Sequence, residues 1–207
     1  MVRALPAVAG GFVWVVGAVG WLLTHGTQPN WNTASILGFT GTEFTQLLIV
    51  ATALWAAALA MDVPRRPLAR AAWVASLVGV AMVGLGALFE TSIVDPVAEF
   101  RHPLVQSGWL LFIGGLFPVL FAGMLGLAAA STSSAGERLA SAAIGAAAPL
   151  PVVAFFVGGL NAGGALAIAA LALMHAAPGI GWIALGLARR GVSAATVDER
   201  MPSEANA

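Results

Sequence analysis

Residues 71–109 read AAWVASLVGVAMVGLGALFETSIVDPVAEFRHPLVQSGW, and this stretch decides how the chain must be treated. Residues 71–89 are apolar or small throughout. A helix over them, rising about 1.5 Å per residue, covers the roughly 30 Å of hydrocarbon in a bilayer. The apolar run then gives way to Glu90, Asp95, Glu99, Arg101 and His102 in quick succession. A long apolar helix closed by a short ionisable segment is the pattern of a membrane span reaching an aqueous face.

The whole chain agrees with that reading. Of its 207 residues 59% are hydrophobic and 9% charged, with mean hydropathy +0.92, whereas soluble domains are about a quarter charged. With lipid as solvent every backbone group must be satisfied internally, which leaves helices and closed barrels. The Ala/Leu/Gly/Val-rich runs lack the two-residue alternation of barrel strands. Besides 71–89, the stretches 6–23, 44–61, 104–129, 139–160 and 164–188 are long and apolar enough to cross. The expected fold is all-α, a polytopic bundle of six transmembrane helices forming one domain over 1–190. A polar tail over 191–207, without apolar periodicity, is expected to be disordered.

Between the third and fourth spans the sequence predicts a short external interfacial helix. Asp95 suits its N-cap, Pro96 its first position and Pro103 its end. Arg3, Arg65, Arg66, Arg70, Arg138, Arg189, Arg190 and Arg200 fall on one side of such a bundle, and Arg101 alone falls on the other. That asymmetry predicts a multi-pass protein of a bacterial plasma (inner) membrane with both termini cytoplasmic. The first apolar run is too long for a signal peptide and WLLTHGTQ offers no small-residue cleavage site, so an uncleaved first helix is expected.

Composition excludes some functions. Zero net charge gives no ground for a nucleic-acid partner, and the absence of cysteine removes disulfides, thiolate ligands and cysteine nucleophiles. No P-loop, G-x-S-x-G elbow or H-E-x-x-H pair occurs. The partner implied is the lipid bilayer, with other membrane subunits or a second copy of the chain as further candidates.

Helical spacing assigns faces. Ser76, Gly79, Val83, Gly86 and Glu90 share one face of the third span, turning Glu90 toward the bundle. Gly108, Gly115 and Ala122 recur every seven residues in the fourth, with Gly126 one turn on, a seam for close packing. Thr45, Thr52, Ala56 and Ala60 form a weakly polar packing stripe in the second. Ala172, His175, Gly179, Trp182 and Gly186 share a face of the sixth. Pro118, Pro149, Pro151 and Pro178 fall at comparable depth, as in transporters whose interrupted helices line a central site. The tetrapeptide GWLL occurs at 20–23 and again at 108–111.

Candidate site residues fall in two groups. Glu90, Glu99, His102 and His25, near the outer face, offer oxygen and nitrogen ligands for a hard or borderline divalent metal, and His25 with His102 for a haem. His175, near the bilayer centre by residue count, is a candidate cofactor ligand, proton-relay group or pocket residue. It reads equally as a neutral histidine bonded to a backbone carbonyl. Two functional classes follow. One is a protein that binds or moves a small ligand, or serves as a non-catalytic subunit of a membrane complex. The other is a membrane-embedded enzyme or redox subunit with an outward-facing Glu/His metal or haem site.

Overall fold

The computed structural model describes residues 4–27, 35–91, 102–158 and 165–198, with the backbone alone at 25–27, 157–158 and 191–198. Among the described residues eight α-helices follow one another: α1 (Leu5–Thr27), α2 (Gly41–Ala60), α3 (Pro67–Thr91), α4 (Pro103–Gly114), α5 (Phe121–Ala130), α6 (Ala135–Ala147), α7 (Leu150–Gly158) and α8 (Ala165–Asp198). A π-helical segment, Gly115–Leu120, joins α4 to α5. These helices make six stretches long and apolar enough to span a membrane, with α4 and α5 sharing the fourth and α6 and α7 the fifth. The protein is an all-α integral membrane bundle.

Both interrupted spans break at prolines. Phe117 precedes Pro118 and takes φ −138°, ψ 117°, the extended geometry that the proline ring forces on its predecessor. In the fifth span α6 stops at Ala147, two residues before Pro149, and α7 resumes at Leu150. Pro178, by contrast, lies within an uninterrupted α8.

Each span packs against its neighbours in sequence, and α8 closes the ring on α1. The interior of that ring is filled by indoles. Trp14 stacks on Trp55 at 4.6 Å and Trp55 on Trp182 at 5.1 Å between ring centroids, and all three are essentially inaccessible. The Nε1 groups of Trp55 and Trp182 have no hydrogen-bond partner among the described residues, so ring burial and stacking hold this core.

The small residues fix which helices meet. A Cβ added to Gly86 would stand 2.6 Å from the Gly108 carbonyl oxygen, one on Gly115 2.8 Å from the Gly79 oxygen, and one on Gly123 2.5 Å from the Ser76 nitrogen. The small face of α3 therefore zips against the seam of the fourth span within one chain. The seam departs from the expected heptad at its third step. Gly123 is buried there and Ala122 exposed, because the π turn carries an extra residue and advances the register by one. Gly11 and Gly179 make a second close approach, each backbone filling the space a side chain would need on the other. This contact joins α1 to α8.

The expected stripe of α2 holds in its first half. Thr45 and Thr52 are buried and donate to their own helix, to the carbonyls of Gly41 and Ile49, while Ala60 is exposed. The last helix, α8, continues to Asp198, and the rest of the expected polar tail lies outside the described residues. The interfacial helix expected between Asp95 and Pro103 falls, up to residue 101, outside the described residues.

Candidate functional site

The residues at the Glu90 end converge on one cavity. Glu90 is the penultimate residue of α3, placed there by the α3 face that also carries Gly86 and Gly79. A carboxylate at a helix C-terminus meets the negative end of the macrodipole, so this position is costly without a compensating partner. Trp21 supplies one: its Nε1 donates to Glu90 Oε1 at 3.3 Å. The same indole lies over His175, ring centroids 5.8 Å apart and 30° between planes. Trp21 thus connects the two groups of candidate residues.

His175 is buried in α8. Its Nδ1 donates to the Leu171 carbonyl at 2.8 Å, and its own carbonyl accepts from Trp14 Nε1 at 2.9 Å. In the neutral ring, donation from Nδ1 leaves Nε2 as an acceptor. The carbonyl it uses is four residues back on its own helix, not the Met174 carbonyl that Pro178 deprives of a donor. The bond to a backbone carbonyl is present, therefore, but the proline does not create it.

Glu90 and His175 line one cavity, walled by Trp14, Trp21, Trp109, Phe112 and Phe155 and bounded by Pro151. Trp21 and Trp109, the tryptophans of the two GWLL segments, face each other across it at 6.0 Å. Trp109 also meets Phe155 at 4.9 Å. The space open to the centre of a water-sized sphere is about 30 Å³. One water needs about 10–15 Å³ by that measure. The cavity therefore holds one or two waters or the head of a small ligand.

Of the other sequence candidates His102 is described, and it does not line this cavity. His102 is the N-cap of α4: its Nδ1 accepts from Leu104 N at 3.3 Å, with Pro103 at the first helical position. That lone pair is committed to the helix and is not open to a metal. Glu99 and the side chain of His25 lie outside the described residues, as do Asp95 and Arg101. Among the described residues no three His, Asp or Glu side chains gather in a group able to hold a metal ion. Glu43, which the sequence places at a helix start, is accounted for by a capping box, accepting from Thr40 N at 2.6 Å and Thr40 Oγ1 at 3.0 Å.

The proline level does not mark a central pathway as expected. Of the four prolines Pro151 alone lines the aromatic cavity, and Pro118 is exposed on the outside of the bundle beside Phe117. The aromatic wall itself escaped the sequence reading. Its signal was the repeated GWLL, whose two tryptophans meet at 6.0 Å between ring centroids.

No protein-family model matches the chain, and no curated protein or solved structure matches it either. What the chain establishes by itself is an integral membrane protein of six apolar helices, with a carboxylate, an imidazole and five aromatic rings around one small cavity.

Proposed function

We propose that this is a small-ligand-binding membrane protein whose site is the Glu90 cavity, and that the ligand carries an ammonium group. The single observation behind this reading is a carboxylate lining a cavity walled by indole and phenyl rings. The faces of such rings are negative and attract a cation, most strongly when water is excluded. Glu90 and the C-terminal carbonyls of α3 add negative potential at the same point. His175 lines the same cavity, and its Nε2 is left as an acceptor by the Nδ1 bond to Leu171.

The positive-inside asymmetry supports an orientation in which the arginine end faces the cytoplasm of a plasma membrane and the Glu90 cavity opens outward. A Glu/His metal centre or a haem has less support. Glu90 and His175 are the titratable side chains that line the cavity, and among the described residues no three such groups gather at one point.

Tryptophan fluorescence of the detergent-purified protein, titrated with methylammonium and with methanol as its neutral counterpart, tests the reading. A saturable change is expected with methylammonium alone, weakened about tenfold or more in Glu90→Gln, equivalent to about 1.4 kcal/mol. An equal response to methanol, or an unchanged titration in Glu90→Gln, sinks it.

A further inference from the structure

The opposite end of the bundle holds a second cavity, of about 390 Å³ by the same measure, where the 61–66 and 131–134 turns meet the ends of α2 and α8. Its inner side is apolar, with Leu59 and Leu185 buried, and its open side carries the exposed Arg65 and Arg66. Pro64 and Pro67 bracket these two arginines and keep them out of helix. Arg70 steadies the turn, donating from Nε to the Pro64 carbonyl at 3.3 Å.

The charges around this cavity are unevenly committed. Arg189 is engaged, donating from Nη1 to the Ala58 carbonyl at 3.1 Å and lying 3.7 Å by Nη2 from Asp62. Its Nε is buried with no hydrogen-bond partner among the described residues. Glu137 occupies the first turn of α6, where the macrodipole favours it. Among the described residues no carboxylate pairs with Arg65 or Arg66. Thr132 and Ser133 bring hydroxyl groups to the same wall.

We infer that this cavity binds a phosphate group, carried by an anionic phospholipid headgroup or by a soluble phosphate. Two neighbouring guanidinium groups match phosphate oxygens with paired donors, and hydroxyls supply further ones. The apolar inner side fits the glycerol end of a lipid. The inference is independent of the ammonium site, which lies at the other end and selects the opposite charge.

Native mass spectrometry of the full chain in detergent, with added phosphatidylglycerol and with diacylglycerol as the phosphate-free control, provides the test. Phosphatidylglycerol is expected to remain bound and diacylglycerol to be lost. The double variant Arg65→Gln/Arg66→Gln should weaken binding about 25-fold, from about fivefold for each arginine. The double variant Arg138→Gln/Arg190→Gln removes two exposed charges from the same end that do not line the cavity, and should leave binding unchanged. Displacement of the lipid by millimolar inorganic phosphate identifies a soluble phosphate as sufficient, and resistance to displacement identifies the lipid headgroup; both uphold the site. Equal losses in the two double variants, wild-type binding in Arg65→Gln/Arg66→Gln, or equal retention of diacylglycerol overturns it.

Discussion

The two ends of this bundle contrast in how they are filled. At the Glu90 end indole and phenyl rings from several helices close on one another and leave about 30 Å³. At the arginine end two short turns of proline, serine and charged residues leave about 390 Å³. Both ends lie where helices terminate, so position in the membrane does not account for the difference. Side-chain volume does. Each aromatic ring buries a large rigid area and excludes water, whereas arginines keep their charged heads in water and hold a turn open. The closed end is suited to desolvating one small head, and the open end to a hydrated charged group.

That contrast rests on the α3 seam, and the most damaging change is to wedge it. Gly86→Leu sets a side chain against the Gly108 and Phe112 backbones. It is expected to cost about 3 kcal/mol, read as a lower unfolding midpoint in detergent, with loss of methylammonium binding because Glu90 and Trp109 flank the seam. A variant that unfolds normally but keeps a closed aromatic cavity would show that the rings, not the seam, set its size.

Next in size is the last helix's hold on α2. Arg189→Met removes the bond to the Ala58 carbonyl as well as the contact with Asp62, at an expected cost of about 1–2 kcal/mol. Asp62 is half exposed, so Asp62→Asn should cost under about 0.5 kcal/mol. Equal effects in thermal unfolding would mean that the ion pair and not the helix-end carbonyl matters.

The smallest effects separate capping from ligation at the Glu90 end. His102→Ala should lower stability by about 0.5–1 kcal/mol through loss of the α4 cap, and His102→Asn, also a good cap, should restore it. Neither should alter the methylammonium titration. A change in binding with His102→Asn, at unchanged stability, would return His102 to the site.

How much of this was legible beforehand is seen residue by residue. Glu90's turn toward the bundle followed from Ser76, Gly79, Val83 and Gly86 on its face, and the structure seats that face on the fourth span. The union of Glu90 with His175 was not legible. Counting residues along α8 puts His175 deep and counting along α3 puts Glu90 shallow, but Trp21 is long enough to bond one and stack on the other. The slip from Ala122 to Gly123 was hidden too, because a proline predicts a kink and not the number of residues in the turn that absorbs it.

The sequence by itself determined six apolar helices, the uneven distribution of arginines and the small-residue faces. These are local properties: hydrocarbon length, backbone hydrogen bonding and a 3.6-residue period act on each segment separately. The tertiary structure alone decided that the glycine seams meet inside one chain, that tryptophans from α1, α2 and α8 fill the axis, and that a carboxylate and an imidazole 85 positions apart share one cavity. Each of those depends on which faces of different helices come together, and the size and shape of side chains at the contact settle that.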